Sequence, residues 1–451
     1  MGGFAGDPEA PLLGLRSNLP ERDGPVEREA ETGRVFLGFL GWAQVLGGLA
    51  VEGGLDPRLL GLRSACVLRL PFLGHASTPY HDPLPGPKAR RYFIQRMPRI
   101  RHIFRWDLDK TYLRTEFSSV RSLVRTARLS AEERENIPGS AALIRAIRRS
   151  ASEAAQHLIY FVSGSPEQLR GVIERKFALD GFAPDGFVLK PAVAELFRAR
   201  FRAIKSQVPY KLGALVSGRA QSPVGVPETL LGDDAESDAF IYSLYADLVR
   251  GRVPREMLRE VLRRAHAYDN QLRHIEEELE SVVHENAVTR IVIHLDQLTP
   301  PAAFADYFPL VVPIYNHLQT ALVLVLDGTL GIGAVREVAL ELIDQFGFDL
   351  GRLTNSAEDI VRRQRPQVSE GALAAIASDL RTLATAQNGE TRDERSDEVL
   401  LKLAERIEYV HGRPEPSRTT ARGVRPDYVE LFQREEARRE EARKAKAAGK
   451  A

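Results

Sequence analysis

The chain is poor in cysteine and in net charge, and each shortage excludes a class of protein. Among its 451 residues there is one cysteine, Cys66, so no disulfide can form within the chain and a reducing compartment is expected. The formal net charge is +1, so the basic excess of a general nucleic-acid binder is absent. With 43% hydrophobic and 27% charged residues, the chain has the composition of a globular protein of two or three domains.

Long apolar runs are also scarce, and the start of the chain lacks the basic-then-apolar order of a secretory signal. The most apolar early stretch, residues 35–51, is about as long as the shortest membrane spans. It contains Gln44 and four glycines, so we expect a segment that is buried or seated on a surface, with a true span as the alternative. The protein is therefore expected to be cytoplasmic, and peripheral membrane contact through residues 35–51 stays open.

Changes in composition along the chain indicate five parts. The first is rich in Gly, Pro and alternating charge, which is typical of a flexible leader. The third alternates short apolar runs with helical stretches, and the last is rich in Glu, Arg, Lys and Ala. The parts are a leader (1–32), an N-terminal accessory segment (33–100), an α/β domain (101–300), a mostly helical C-terminal region (301–430) and a charged tail (431–451).

The alternation of apolar runs and helical stretches between residues 101 and 300 predicts an α/β fold. Strands that alternate with helices form a doubly wound parallel sheet with helices on both faces. In such sheets the functional site lies at the carboxyl ends of the strands. The predicted strands cover residues 103–106, 158–162, 187–189, 229–231 and 290–295.

Two further stretches have recognisable patterns. Residues 254–283 repeat apolar positions at spacings of three and four, which predicts one long amphipathic helix. We interpret residues 253–287 as a helical insertion or a docking surface for a protein partner. The string LVLDGTL at residues 324–330 mimics the first motif described below, but its carboxylate, Asp327, is offset by two positions, so a turn or a helix end is expected.

Polar side chains follow the predicted strands in four groups. Three of the groups come directly after an apolar run, where an α/β sheet places its site. The alternative interpretation is a salt-bridged turn near the first group and a lysine on a solvated face. In chain order the residues are Asp107, Asp109, Thr111, Ser163, Lys211, Asp233 and Asp238.

The carboxylates in these groups suit the transfer of a phosphoryl group. Asp107 can attack phosphorus to form an aspartyl-phosphate, and Asp109 can protonate the leaving oxygen and later deprotonate water. Both side chains point the same way because side chains alternate along an extended segment. Asp233, together with Asp107 and Asp109, offers hard oxygen ligands for Mg²⁺, which would screen the repulsion between carboxylate and phosphate.

The other polar side chains have supporting roles in this chemistry. Ser163 offers a hydroxyl to a phosphoryl oxygen, and Lys211 supplies positive charge where negative charge accumulates. Thr111 is expected to bond the local backbone with its hydroxyl and so hold the turn after Asp109.

Around these residues the sequence resembles the haloacid-dehalogenase (HAD) superfamily and, more narrowly, the actin-patch-type phosphatidate phosphatase family. The strings that carry the resemblance are DLDKT, IPGSAALIRAI, IYFVSGSPEQL and GDDAESDAFIY, within about residues 101–300. The resemblance implies a Rossmann-like HAD sheet with little or no cap and a Mg²⁺ cofactor. It also implies the roles nucleophile for Asp107, acid/base for Asp109, phosphate contact for Ser163, the family's lysine for Lys211, metal ligand for Asp233 and second acidic position for Asp238.

The sequence departs from the family pattern at several positions, none of which is a reacting group. Lys110, Glu167 and Asp234 would add charge near the mouth of the site. Arg105 interrupts a strand that should be buried. The departures are Arg105, Lys110, Gly164, Glu167, Asp234 and Ala235.

The short connection between Thr111 and Ser163, about 50 residues, predicts a helical hairpin in place of a large cap. A site without a bulky lid stays open to large or membrane-bound substrates, which agrees with a lipid phosphate head group and equally with a phosphoprotein or a nucleic-acid end. We therefore predict a Mg²⁺-dependent phosphatase that acts on a phosphomonoester, with phosphatidate or another lipid phosphate as the candidate substrate. The alternative is a catalytically weak, phosphate-binding regulatory or scaffold protein whose helical regions bind a partner.

Overall fold

The structure, a computed structural model, describes six stretches of the chain. They are residues 99–115, 129–152, 155–190, 203–386, 394–413 and 426–448. The predicted leader, residues 35–51 and Cys66 lie outside the described residues, as does almost all of the predicted accessory segment. What was expected of those parts stays a prediction.

The predicted apolar runs fall on the strands of one sheet, the last of them ending one residue beyond β5, and every pair of neighbouring strands is parallel. The strands are β1 (Arg99–Trp106), β2 (Ala155–Pro166), β3 (Gly186–Lys190), β4 (Glu228–Asp233), β5 (Val288–His294) and β6 (Val311–Ile314). Their order is β3-β2-β1-β4-β5-β6, so the predicted doubly wound α/β fold is confirmed. Each inner strand contains a short apolar run, as expected where helices cover both faces of a sheet.

Helices make up most of the rest of the described chain. They are α1 (Ser140–Arg149), α2 (Arg170–Leu179), α3 (Ala203–Ala220), α4 (Asp238–Val249), α5 (Arg255–Arg264), α6 (Asp269–Glu280), α7 (His317–Leu326), α8 (Gly333–Phe346), α9 (Leu350–Gln364), α10 (Glu370–Thr385), α11 (Glu394–His411) and α12 (Tyr428–Ala448). One apolar core joins the sheet to α1, α2 and α7 to α11, and the other joins it to α3 to α6 and α12. None of these described helices is long and apolar enough to cross a membrane.

The strand order reverses at the centre of the sheet. Trp106, the last residue of β1, pairs with Phe161 of β2 on one side and with Leu231 of β4 on the other. The chain leaves β1 towards one face and reaches β4 from the other, which opens a crevice beyond their carboxyl ends. Ligands of open α/β sheets bind in such a crevice.

The prediction of one long helix at residues 254–283 is wrong, because the segment forms two helices, α5 and α6. The chain turns between them through His266, which has a φ of 56°. Apolar spacing continues across this turn, so the pattern alone does not reveal the break. Of the predicted hairpin between Thr111 and Ser163, the described residues contain one helix, α1, which packs against α8. Residues 116–128 lie outside the described part.

The region after residue 300 is mostly helical, as predicted, but it also contributes a strand to the sheet. β6 pairs with β5 and forms an edge of the sheet, so the predicted boundary at residue 300 falls inside one sheet. The strand has four residues and contains Pro313, which suits an edge strand and weakens the sequence signal. Asp327 follows the end of α7 and pairs with Arg290 at 2.6 Å, so the expected helix end is confirmed.

The charged tail begins with an apolar anchor. Helix α12 starts before the predicted boundary at residue 430, and its first turns bury Tyr428, Leu431 and Phe432. Phe432 and Tyr428 both contact Phe240 of α4, with ring centroids 5.6 and 6.0 Å apart. The Glu/Arg/Lys-rich stretch that follows is helical as far as Ala448.

Arg105, which interrupts the apolar run of β1, belongs to a buried ionic network. Its guanidinium donates to both carboxylate oxygens of Glu228 on β4, at 3.1 and 2.8 Å. Arg219 of α3 and the Tyr245 hydroxyl of α4 donate to the same carboxylate, at 2.9 and 2.7 Å. Arg219 also pairs with Glu285, so two arginines face two glutamates. The network therefore offsets the cost of burying Arg105 and links β1 to β4, α3 and α4.

Glu228→Gln is expected to lower the free energy of unfolding by about 3–5 kcal/mol, because Arg105 then keeps a buried charge that lacks its partner. Urea unfolding followed by circular dichroism measures the loss. Glu408→Gln is a matched control, since Glu408 also accepts two bonds from one arginine, Arg381, at 3.0 and 2.6 Å. Both of those side chains are more than 40% exposed, so the control should lose less than about 1 kcal/mol. Equal losses of unfolding free energy in the two variants would contradict the claim that burial makes the Glu228 ion pair costly to break.

The same carboxylate is expected to make stability fall in acid. Burial alone would raise the pKa of Glu228, but Arg105, Tyr245 and Arg219 outweigh burial and lower that pKa from 4.5 to about 2. A depressed pKa contributes stability that is present above the unfolded value and lost as the pH falls through the folded value. The stability gap between wild type and Glu228→Gln should therefore narrow between about pH 5 and pH 2, as urea unfolding at each pH would measure. A constant gap would mean that Glu228 is not ionised in the folded protein.

Candidate active site

Asp107 lies at the carboxyl end of β1, where the strand order reverses. Its N–H donates to the Leu231 carbonyl of β4 at 2.8 Å, which fixes the backbone between the two strands. Its side chain is fully buried, and Oδ1 lies 2.8 Å from Nζ of Lys211. Neither oxygen of this carboxylate has a hydrogen-bond partner among the described residues, and since Oδ1 lies beside the ammonium, Oδ2 is the oxygen left for a ligand.

The loop after β4 carries a second group of carboxylates. Oδ1 of Asp233 accepts from the N–H groups of Ala235 and Glu236, at 2.6 and 3.0 Å, and closes a turn. Its Oδ2 is buried and lacks a hydrogen-bond partner in the described part of the chain. Asp238, the first residue of α4, accepts from the Asp233 N–H at 3.2 Å. Gly232 is needed here because a Cβ would lie 2.3 Å from Oδ2 of Asp238.

The Lys211 ammonium joins three carboxylates from different elements. Its Nζ lies 2.8 Å from Asp107, 2.7 Å from Glu236 and 2.6 Å from Asp238. Burial opposes the charge of the amine, but the three carboxylates outweigh burial and raise the pKa of Lys211 well above its usual value. The lysine is therefore a fixed positive charge at the centre of the site.

Four carboxylates around this lysine form a cluster suited to a divalent cation. Ligand oxygens of Asp107, Asp233, Glu236 and Asp238 all lie within 4.8 Å of one another. Burial and the neighbouring carboxylates raise the pKa of Asp107 and of Asp233 well above the usual value, against the opposing effect of Lys211. Hard oxygen donors are the ligands that Mg²⁺ prefers, and a bound cation would satisfy the buried oxygens that lack hydrogen bonds. The donor set therefore fits a Mg²⁺ site.

The Asp109 carboxylate lies apart from that cluster, between two serines of β2. Its Oδ2 accepts from the hydroxyls of Ser163 and Ser165, at 3.0 and 2.7 Å. Burial raises the pKa of Asp109, although both serine hydrogen bonds act in the opposite direction. A raised pKa suits a general acid. Because the serines hold this side chain, its assignment as a metal ligand stays a prediction.

Two buried histidines hold the turn that follows Asp109. Lys110 has a φ of 64°, and its carbonyl accepts from Nδ1 of His294 at 2.7 Å. The Thr111 carbonyl accepts from Nε2 of His317 at 3.0 Å. Burial lowers the pKa of both histidines, so each is neutral and donates from one ring nitrogen. The turn is thus held by the histidines and not, as expected, by the Thr111 hydroxyl, which has no hydrogen-bond partner among the described residues.

The charges expected near the mouth of the site all have partners, two of them in ion pairs and one through backbone hydrogen bonds. Nζ of Lys110 lies 3.5 Å from Oδ2 of Asp296, and Glu167 pairs with Arg170. Asp234 accepts from two backbone N–H groups of the loop after β5, at 2.8 and 3.0 Å. Lys110 and Glu167 therefore have their charges compensated by an ion pair, and the Asp234 carboxylate is held by neutral donors.

The doubly wound sheet, the aspartate after β1 and the acidic loop after β4 agree with the resemblance to HAD-like domains. Residues 106–260 match the family model described as phosphatidate phosphatase APP1, catalytic domain, so the resemblance is confirmed over this stretch. The match runs from the end of β1 into α5 and covers less of the chain than residues 101–300. It supports a phosphatase, and so a hydrolase. Comparisons with curated proteins and with solved structures give no match.

The structure brings the predicted site residues to one end of the sheet, although their roles stay predictions. Asp107, Lys211, Asp233 and Asp238 meet in the acidic cluster, and Asp109 meets Ser163 beside it.

Sequence reasoning missed four further residues of the site. Ser165 lies two positions after Ser163, so alternation along an extended segment was a usable signal. Glu236 stands inside the acidic string after β4, but only the fold brings its carboxylate to Lys211. His294 and His317 hold the backbone from distant strands and helices, and no local pattern marks them.

Asp233→Asn is expected to weaken Mg²⁺ binding at least about ten-fold, because it removes a carboxylate charge from the cluster. Isothermal titration calorimetry with Mg²⁺ measures the affinity. Asp344→Asn removes an exposed carboxylate that pairs with Arg395, and it serves as the matched control with unchanged affinity. Equal Mg²⁺ affinity in wild type and Asp233→Asn would rule out the cluster as the metal site.

Proposed function

We propose that this protein is a Mg²⁺-dependent phosphatase that hydrolyses a phosphomonoester through an aspartyl-phosphate on Asp107. The observation that carries the proposal is the buried contact of Asp107 with Lys211, beside three further carboxylates. The match of residues 106–260 to a phosphatidate phosphatase catalytic domain supports the same chemistry.

In the first step, Oδ2 of Asp107 attacks phosphorus, and the bond from phosphorus to the leaving oxygen breaks. Lys211 is already charged and fixed, so it offsets the negative charge that gathers on the phosphoryl oxygens without further reorganisation. Ser163 would contact the same oxygens. A Mg²⁺ ion held by Asp107 and Asp233 would neutralise charge and orient the phosphate.

Asp109 handles the proton in both steps. Its raised pKa lets it hold a proton for the leaving oxygen, and the hydroxyls of Ser163 and Ser165 keep its carboxyl oriented. In the second step Asp109 takes a proton from water, which attacks phosphorus and frees the Asp107 carboxylate. Inorganic phosphate then leaves the site.

Phosphatidate, or another lipid phosphate, is the substrate class that we infer. The family model that residues 106–260 match is described as a phosphatidate phosphatase catalytic domain. The pairing of Lys110 with Asp296 and of Glu167 with Arg170 supports this choice, because paired charges repel an anionic lipid surface less than free carboxylates would.

Asp107→Asn is expected to lower the rate of phosphate release at least about a thousand-fold, because the nucleophile is lost. Inorganic phosphate is measured with phosphatidate in mixed micelles, an aryl phosphate, nucleotides and phosphopeptides, with Mg²⁺ and after chelation. Asp344→Asn, on the exposed surface of α8, should keep the full rate.

Each alternative gives a different result in that assay. A folded wild-type protein that binds Mg²⁺ but releases no phosphate from any substrate would contradict the enzyme and favour a phosphate-binding scaffold with helical partner surfaces. Faster release from soluble phosphomonoesters than from phosphatidate would retain the chemistry and contradict the lipid substrate.

A further inference from the structure

An exposed leucine lies in the loop that follows β5, at the end of the sheet where the strands have their carboxyl ends and where the candidate site lies. Leu298 is 73% exposed and has a φ of 55°. The left-handed region is unfavourable for a branched apolar side chain and is normally taken by Gly, Asn or Asp. Neither burial nor backbone preference explains a leucine here.

A buried carboxylate holds this leucine in place. Oδ1 of Asp234 accepts from the Gln297 N–H at 2.8 Å, and Oδ2 accepts from the Thr299 N–H at 3.0 Å. The two bonds grip the residues on either side of Leu298, whose own N–H donates to the Leu295 carbonyl at 3.2 Å. Asp234 is itself 7% exposed, so a buried charge is used to fix an exposed apolar side chain.

The loop is joined directly to the candidate active site. Asp234 is the neighbour of Asp233 in the acidic cluster, and its N–H donates to the His294 carbonyl at 3.0 Å. His294 in turn holds Lys110, whose Nζ lies 3.5 Å from Asp296 in the loop. The position of Leu298 is therefore fixed relative to Asp107 through short hydrogen-bonded links.

A second large side chain is exposed at the same end of the sheet. Tyr315 directly follows β6, as the Leu298 loop follows β5, and it is 41% exposed. Its N–H donates to Oε1 of Gln319 at 2.8 Å, so its backbone is also held. An aliphatic and an aromatic side chain thus stand on the rim beyond the carboxyl ends of neighbouring strands.

We propose that Leu298, together with Tyr315 after the neighbouring strand, places the rim of the site on a lipid surface that contains phosphatidate. The inference rests on the proposed function, since a phosphatase of lipid phosphates must reach a head group at the surface of a bilayer. A leucine can enter the acyl region and a tyrosine suits the interface. Burying one leucine side chain corresponds to roughly a 10- to 100-fold gain in binding.

Leu298→Asn tests the proposal, because asparagine tolerates the left-handed conformation and removes the apolar side chain. The control is Val224→Asn, which removes an apolar side chain that is 63% exposed in the loop before β4, at the opposite edge of the sheet. Vesicle flotation uses phosphatidylcholine with and without phosphatidate. Phosphate release is measured from phosphatidate in vesicles and from a soluble aryl phosphate.

Leu298→Asn is expected to lose at least about five-fold in vesicle binding and in release from vesicle-borne phosphatidate, while aryl phosphate hydrolysis stays within about two-fold of wild type. Its thermal midpoint should not fall, since the strain at this position is relieved. Val224→Asn should change none of these quantities.

Three results would overturn the proposal. One is vesicle binding by Leu298→Asn equal to that of wild type, which would leave the leucine for a protein partner. Another is an equal loss of vesicle binding in Val224→Asn. The third is an equal loss of aryl phosphate hydrolysis in Leu298→Asn. A wild-type protein that floats through Leu298 but releases no phosphate would instead contradict the proposed function alone.

Discussion

The candidate site depends on the ion pairs that the Lys211 ammonium makes with three carboxylates. The lysine lies on α3 and contacts Asp107 after β1, Glu236 in the loop after β4 and Asp238 at the start of α4. Carboxylates in a buried space repel one another strongly, and a charged group between them offsets that repulsion. The same contacts tie together the strand ends and two helices, so the lysine both organises the cluster and supplies its positive charge.

A second group of ion pairs, around Glu228, involves the same elements as the group around Lys211. Arg105 and Asp107 are two residues apart along β1, so their side chains point to the same face of the sheet. Lys211 and Arg219 are eight residues apart on α3 and share the face of the helix that meets them. Arg219 meets Arg105 through Glu228, whereas Lys211 contacts Asp107 directly. The arginine in β1 is therefore part of how α3 is docked against β1, and the docking fixes Lys211.

The parts of the fold that local sequence determines were predictable. Inner strands contain short apolar runs, and a sheet of this class brings the residues that follow its strands to one end. The edge strand β6 was not predicted because it is short and contains Pro313. The break at His266 escaped because apolar spacing continues across it. Ser165 was within reach of the alternation argument, but Glu236 was not, because its contact with Lys211 depends on where α3 lies.

The charge of the cluster bears on the chemistry that it can perform. Four carboxylates form the cluster, Lys211 contacts three of them, and one ammonium cannot offset all four charges. A phosphate monoester is itself an anion, so it cannot approach Asp107 closely while the surrounding carboxylates remain ionised and unscreened. In the proposed reaction, protons or a divalent cation would supply the missing positive charge, and a cation would also leave Asp107 ionised for its proposed role as the nucleophile. The buried, unbonded oxygens of Asp107 and Asp233 are where that cation would be needed most. Glu236, which sequence reasoning missed, adds a fourth carboxylate. The cluster therefore needs more positive charge than Asp107, Asp233 and Asp238 would need alone.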